Sequence, residues 1–363
     1  NGDIKKLNKN LCESFSRKFA SAIKKFLVNK IKTDQLKIMG IIGASEESII
    51  LMLTNLLLGA HQCICFEDLS SEAIRQRIEI FKPDIIVCKD NLKSKVNCAI
   101  KKKDLVNIPI ITINLSEISN NFEVTDNFST KYKSHYNLFT LFTSGSTGKP
   151  KAIQHGINEY LNYAEYTTGH FFGIKKGSKI FTAVDAGWIN GHTYAFYGPL
   201  LLGAISIINE MPSLISIPRI LGQYLDKLKP DCFYTSVTLL RLIKSLTEKD
   251  DKLGNYTKSN FRLNRIGSCG EPLADNVGNW AIKFFSPTRK SIVNTYFQTE
   301  TGGVLVAPRD EDLVPSRYSS VGKPNKNLGM VLAKNVLSSK ELQNEDIDPN
   351  ELLIKNYWNG IFN

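Results

Sequence analysis

The sequence predicts an α/β fold built on mostly parallel sheets, and two patterns carry that prediction. Short, continuously apolar runs recur, as in "QLKIMGIIGAS", "HQCICFED" and "PDIIVCKD", and amphipathic stretches separate them. Strands that are apolar throughout suit a sheet covered on both faces, and strand–helix–strand alternation gives parallel neighbours. A third pattern is a change of text: from about Ser316 the chain reads as strands and turns without helical periodicity, which predicts a small β subdomain. The 363 residues are long enough for two or three such units. Residues 1–135 are expected to form one α/β subdomain, 136–315 a second that carries the binding loops, and 316–363 part of the β subdomain.

Each element has a local reason. Leu11, Phe15, Phe19, Ile23 and Phe26 recur at helical spacing while Arg17, Lys18, Lys24 and Lys25 face away, so an amphipathic helix opens the chain. Packing on a sheet is expected for it rather than a membrane surface. "EESIILMLTNLLLGA" predicts a helix ending at Gly59, and "SSEAIRQRIEIFK" one capped by Ser70 or Ser71. Further on, "FTLFTSGSTG" reads as strand then loop, and "INEYLNYAEYTTGHFF" as a helix. "KIFTAV" is a strand, and "AFYGPLLLGA" begins another helix. "ISIIN" and "PDCFYTS" are strands, and "IPRILGQYLDKLK" and "VTLLRLIKSL" are helices. "FRLNRIGSCGEPL" and "SIVNTYFQTETGG" are strands running into polar turns.

Composition narrows the function classes. The net charge of +11 reflects lysines spread over the whole chain, and a field for anionic ligands is the alternative. No basic stripe interleaved with aromatics is present, so nucleic acid is not an expected partner. No apolar run approaches the roughly 18 residues of a membrane span. An odd count of seven cysteines, most within apolar runs, points to free thiols, hence a cytoplasmic setting. Cys63 and Cys65 lie two apart with no second pair or His cluster to complete a zinc site. The first residue is Asn1 and no signal-peptide pattern follows, so a processing boundary is expected there.

The most informative stretch is "LFTSGSTGKPKAIQHG", Leu141 to Gly156. Glycines let a backbone curl with its N–H groups inward, hydroxyls add donors, and lysines add charge, so the composition suits phosphate. A nucleotide P-loop needs Gly, four residues, then Gly-Lys-Ser/Thr; here Pro150 follows Lys149 and position 143 is Thr, so that pattern fails. The dinucleotide GxGxxG spacing fails too. A plain surface turn is the remaining local reading.

"TSGSTGKPK" (Thr143–Lys151) resembles the phosphate-loop signature of the adenylate-forming superfamily, with Ala152 where Gly is common. Three further stretches resemble it in the same order. "DAGWINGHTYAFYGPLLLGA" and "IGSCGEPL" look like its acetyl- and short-chain acyl-CoA synthetase branch, and "NTYFQTETGG" like its aromatic-Gln-Thr-Glu-Thr-Gly segment. The resemblance spans essentially the whole chain. It implies the large N-terminal domain of that fold and a ligase reaction in two steps. MgATP activates a carboxylate as acyl-adenylate, then coenzyme A takes the acyl group.

By motif match, Thr143, Ser144, Gly145, Ser146, Thr147, Gly148 and Lys151 would cradle phosphates. Gly270, Glu271 and Pro272 would line the adenine, with Tyr296 stacked on it and Gln298 nearby. Thr299 would bond the α-phosphate, and Glu300 would hold Mg²⁺. Lys151, Thr299 and Glu300 are thus the catalytic candidates. Trp188, Ile189, Asn190, Cys269 and Phe297 would form the acyl pocket. Acetate-activating relatives carry Trp at the place of Phe297 and medium-chain relatives Gly, so Phe297 implies a short acid slightly larger than acetate. Asn190 replaces a small residue, and it bonds either the substrate or local backbone. His192 is expected to be structural, and His135, His155 and His170 form no ligand set with it. The resemblance also implies a C-terminal domain with a ribose-binding Asp and a catalytic Lys that would follow "LLIKNYWNGIFN". A shortened nucleotide-binding remnant, a non-catalytic interaction module and a peptide-synthetase type of adenylation are the alternatives. The resemblance sets neither the acid nor the oligomeric state.

Overall fold

The computed structural model describes residues 4–27, 34–101, 105, 107–125, 127–128, 132–133, 135–144, 149–249, 263–285, 287–288, 291–308, 317–322, 330–332 and 352–354. Helix α1 (Lys9–Leu27) comes first. Strand β1 (Lys37–Ile41), helix α2 (Glu46–Leu58), strand β2 (His61–Cys65), helix α3 (Ser71–Phe81) and strand β3 (Ile85–Cys88) then alternate. Helix α4 (Lys93–Ala99), strand β4 (Ile110–Thr112) and helix α5 (Leu115–Asn121) follow. Strands β5 (Asn137–Ser144) and β6 (Pro150–Gly156) make a hairpin across the hydroxyl-rich loop. The first sheet runs β4-β3-β1-β2-β5-β6, parallel except for that last antiparallel pair.

The second unit begins with helix α6 (Ile157–Phe172) and strand β7 (Lys179–Ala183). A π-helical segment (Gly191–Tyr197) runs into helix α7 (Gly198–Leu201) and strand β8 (Ile205–Ile207). Helices α8 (Pro212–Ile215) and α9 (Pro218–Leu228), strand β9 (Cys232–Ser236) and helix α10 (Val237–Lys249) come next. Strand β10 (Arg265–Cys269), helix α11 (Asp275–Phe285), strand β11 (Ile292–Asn294) and a 3₁₀ turn (Thr299–Thr301) complete it. The second sheet, β11-β10-β9-β7-β8, is parallel throughout. Strands β12 (Met330–Leu332) and β13 (Leu352–Ile354) pair antiparallel.

Local chemistry sets the element ends. In α2, Ser45 Oγ accepts the Ser48 N–H at 3.2 Å and Ser48 Oγ accepts the Ser45 N–H at 3.0 Å, so a short serine stands where a capping box usually has Glu. Ser70, not Ser71, caps α3. In α1 the buried stripe is Phe19, Ala20, Ile23 and Leu27, whereas Phe26 and Leu11 are about 40% exposed. This helix packs chiefly on α2 and α5, and its Phe19, Ile23 and Leu27 join the core that contains Ile38, Ile85 and Phe139 of the first sheet. Burying Phe19, Ile23 and Leu27 contributes about 1.5–3 kcal/mol each.

Two expectations need correcting. The boundary drawn between residues 135 and 136 cuts the first sheet, because β5 pairs with β2 and β6 with β5. The strand after Pro150 was hidden by the loop in front of it. The predicted helix over "AFYGPLLLGA" is π-helical to Tyr197, with one α-turn after it. The sheets meet where the turn after β1 faces the turn after β7. There the Ala44 N–H reaches Asp185 Oδ2 at 3.4 Å, and the Phe66 and Trp188 rings lie 5.1 Å apart. No helix among the described residues is long and apolar enough to cross a membrane.

Two buried imidazoles tie stability to pH. Desolvation pushes His61 down to about 3 and His192 down to about 4. An unfolded His titrates near 6.5, about where His stands in model peptides. The unfolded chain therefore binds more protons below roughly pH 6.5, so stability is full above that pH and falls as pH drops toward the folded values. The His192 shift alone corresponds to about 3 kcal/mol. A pH series of thermal midpoints should show this acid limb, with a shallower slope in His192→Gln. An identical slope in that variant would contradict it.

Candidate active site

In parallel sheets the loops at the carboxyl ends of strands gather ligand-binding groups. Two neighbouring strands of the second sheet end here on predicted motifs. Strand β10 stops at Cys269 and hands over to Gly270, whose φ of +90° favours a residue without Cβ. Strand β11 stops at Asn294, and Thr295 is latched to the Ser268 carbonyl by its N–H at 2.9 Å and its Oγ1 at 2.8 Å. Tyr296 follows, half-buried, its N–H donating to the Val306 carbonyl at 2.8 Å. The Gly270-Glu271-Pro272 turn and Tyr296 therefore emerge side by side.

The phosphate-loop candidates approach from the other sheet. Lys151 lies opposite Thr143 in the β5–β6 ladder, and Pro150 opposite Ser144. Gly145, Ser146, Thr147 and Gly148 fall outside the described residues. Strand side chains alternate, so Lys151, Ile153 and His155 share one face of β6. Both outer members of that row reach the 3₁₀ turn. Lys151 Nζ lies 3.5 Å from Glu300 Oε1, and His155 Nε2–H donates to the Thr299 carbonyl at 2.8 Å. Segments nearly 150 residues apart thus meet, bringing Lys151 beside the turn that carries Thr299 and Glu300.

The turn carrying Glu300 is held from behind. The Gln298 N–H donates to Thr301 Oγ1 at 3.1 Å, and Gly302 takes φ +71° at the end of the turn. Thr193 of the π-helical segment donates its hydroxyl to the Gly302 carbonyl at 2.6 Å. That uses its only proton, so Tyr160 donates to Thr193 Oγ1 at 2.7 Å. Tyr163 donates to the Val304 carbonyl at 2.6 Å, and the Val304 N–H donates to the Tyr194 hydroxyl at 2.7 Å. His155, Tyr160, Tyr163, Thr193 and Tyr194 were all missed as supports. That His155 lies on the same face as Lys151 follows only once "PKAIQHG" is seen to be a strand.

Four of the five predicted acyl residues gather. Asn190 donates Nδ2–H to Cys269 Sγ at 3.0 Å. Phe297 is half-buried and packs into the clusters that contain Ile189 and Cys269. Its ring stands edge-on to Tyr194 at 6.1 Å. Trp188 does not join them: it is 54% exposed and packs on Phe66. Burial pushes the Cys269 thiol up to about 12, so it remains S–H at neutral pH.

Glu271 is neither free nor simply solvated. Its carboxylate takes hydrogen bonds from the Thr238 hydroxyl and, at 2.5 Å, from the Arg241 guanidinium. Arg241 also donates to the Pro272 carbonyl at 3.3 Å, so α10 braces the turn through both residues. Glu300 is the carboxylate beside Lys151. Among the described residues no three His, Cys, Asp or Glu side chains are grouped as a metal site. A lone carboxylate fits Mg²⁺, which keeps waters and shares phosphate oxygens rather than demanding a protein cage.

Residues 16–357 match the AMP-binding enzyme family. The chain belongs to that family. The chain is 31% identical to acetyl-coenzyme A synthetase 1 of Debaryomyces hansenii over 87% of its own length and 50% of the relative's. It is 32% identical to acetyl-coenzyme A synthetase 2 of Candida albicans, over 86% of this chain and 49% of that one. It therefore spans about half the length of the curated relatives it matches. Its fold resembles that of the anthranilate CoA ligase AuaEII, solved with anthranoyl-AMP. The TM-score is 0.74 at 15% identity, over 91% of this chain and 61% of that chain.

The brace behind Glu300 predicts a stability cost. Thr193→Val should leave the Gly302 carbonyl and the Tyr160 hydroxyl without their shared partner and lower unfolding free energy by about 1–3 kcal/mol. Urea unfolding measures this, and a midpoint equal to the parent's would contradict the brace.

Proposed function

We propose that this chain is the nucleotide- and acyl-binding part of an AMP-forming short-chain acyl-CoA synthetase. One observation carries the reading: the hydroxyl-rich hairpin and the Thr299-Glu300 turn meet, with Lys151 Nζ 3.5 Å from Glu300 Oε1. A cation from one sheet and a carboxylate from the other, flanked by Thr143 and Ser144, suit phosphates that need both a positive neighbour and a metal ligand. The acetyl-coenzyme A synthetases among the relatives support the same reaction class. Their enzymes are about twice this chain's length, so complete turnover is proposed for a longer protein.

The chemistry asks for positioning more than for a protein nucleophile. A substrate carboxylate oxygen attacks the α-phosphorus of ATP, and the bond to the bridging oxygen breaks, releasing pyrophosphate. The coenzyme A sulfur then attacks the acyl carbon, the thiol proton leaves, and the bond to AMP oxygen breaks. Lys151 would follow the charge that builds on the phosphates, and Thr299 would bond the α-phosphate. Glu300 would hold Mg²⁺, which neutralises phosphate charge when bound. Gly270, Glu271, Pro272, Tyr296 and Gln298 would border the adenine, with Arg241 keeping that turn in place. Ile189, Asn190, Cys269 and Phe297 would face the acyl group. The large Phe297 ring suits a short acid slightly larger than acetate. The free thiols support a cytoplasmic setting.

Calorimetric titration of the chain with MgATP should show saturable binding, weakened about tenfold or more in Lys151→Ala and in Glu300→Ala. Absence of binding, or variants that bind as well as the parent, would overturn the nucleotide reading. ATP–pyrophosphate exchange by the longer protein, compared across acetate, propionate and butyrate, should favour the larger acids. A wide preference for acetate would remove the enlarged pocket. The 363-residue chain alone should exchange far more slowly, and near-normal thioester formation by it would contradict that.

A further inference from the structure

One strand, β6, carries both a candidate phosphate cation and a clamp on the turn opposite it. Lys151 opens the row and is mobile in reach, with 61% of its side chain exposed. His155 closes the same row and is fully buried, its ring 4.8 Å from Phe139 and 5.3 Å from Tyr160. Four residues of strand separate their backbones by about 13 Å. The ladder holds that spacing, because Thr143 stands opposite Lys151 and Phe139 opposite His155 on β5.

The atom that His155 bonds decides what the clamp does. The Thr299 carbonyl belongs to the peptide that joins Thr299 to Glu300, and the imidazole Nε2–H reaches it at 2.8 Å. A peptide unit is planar, so a bond to its oxygen orients the one plate from which both candidate side chains leave. The Gly302 N–H meets the same oxygen at 3.2 Å from within the turn, which shapes the turn without referring it to the hairpin. His155 supplies that reference from the strand that bears Lys151. Magnesium demands near-ideal geometry at about 2.0–2.1 Å, so a carboxylate displaced by an ångström would not serve it. We propose that His155 is a positioning residue for the metal-bound nucleotide. Its Nε2–H sets Glu300 at the height over the hairpin where this carboxylate and Lys151 engage one MgATP, and the imidazole itself touches neither metal nor nucleotide. The inference rests on the reading of Glu300 as the Mg²⁺ ligand.

The test compares ATP in excess Mg²⁺ with ATP in EDTA, by calorimetry on the 363-residue chain, His155→Phe and His155→Gln. The parent should bind the magnesium form about tenfold or more tighter. His155→Phe keeps a ring against Phe139 and Tyr160 but has no donor. It should lose about fivefold or more of that ratio, with a smaller change for metal-free ATP. A side chain that served packing alone would weaken both forms alike. His155→Gln carries an amide N–H near the place of Nε2 and should keep the ratio within about twofold of the parent's. A folded His155→Phe with the parent's ratio overturns the inference. So does a His155→Gln as impaired as the phenylalanine variant, because the ring and not the donor would then matter. If melting curves show that His155→Phe does not fold, a lost ratio in His155→Gln still overturns it. Equal binding of both ATP forms by the parent removes the metal role of Glu300, and this inference with it. Binding of neither form overturns the nucleotide reading itself.

Discussion

Backbone carbonyls caught between two sheets must find donors, and this constraint organises the molecule. In the 3₁₀ turn at Thr299–Thr301 the Thr299 carbonyl accepts the Gly302 N–H at 3.2 Å and has room for a second donor, and the Gly302 carbonyl faces packed protein rather than a ladder partner. His155, from the edge strand of the first sheet, answers the first, and Thr193, from the π-helical segment, answers the second. A buried carbonyl without a donor would cost about 1–3 kcal/mol. Satisfying both fixes the turn in three dimensions, and Glu300 is carried into place as a consequence.

The same seam explains why a weak ion pair suffices in the cleft. The Lys151 side chain is 61% exposed and that of Glu300 22%, and such pairs contribute about 0–1 kcal/mol. The attraction is too small to hold the sheets together. The hydrogen bonds of Tyr160, Tyr163 and Tyr194 brace the turn from behind, and His155 ties it to the edge strand of the first sheet. The two charges are therefore positioned by the scaffold and remain easy to separate, as suits groups that would exchange each other for phosphate and metal. Around the Gly270-Glu271-Pro272 turn the arrangement is stiffer, because Arg241 and Thr238 bind Glu271 and Arg241 also grips the Pro272 carbonyl.

Much of this was legible in the chain text. The apolar runs of β1, β2 and β3 announced buried parallel strands, and Ser70 and Gly59 mark helix ends for reasons of capping and left-handed geometry. The four motif stretches named the candidate residues without geometry. Strand β6 was not legible, because its alternation begins inside a segment that reads as loop, so the edge of the first sheet was assigned to the wrong unit. Trp188 shows the limit of a linear motif. It stands next to Ile189 and Asn190 in sequence, yet turns outward onto Phe66.

Sequence alone determined the fold class and the chemistry of the candidate residues, because periodicity, caps and residue types are local properties. Tertiary structure decided which of them meet. Lys151 and Glu300 face each other because a shared row on β6 carries Lys151 and His155 to one turn, a relation between strands that no local pattern records. It also decided that Asn190 shows its N–H to Cys269 and keeps its oxygen unpaired. A cysteine has one proton, and the Thr235 carbonyl on the neighbouring strand has taken it.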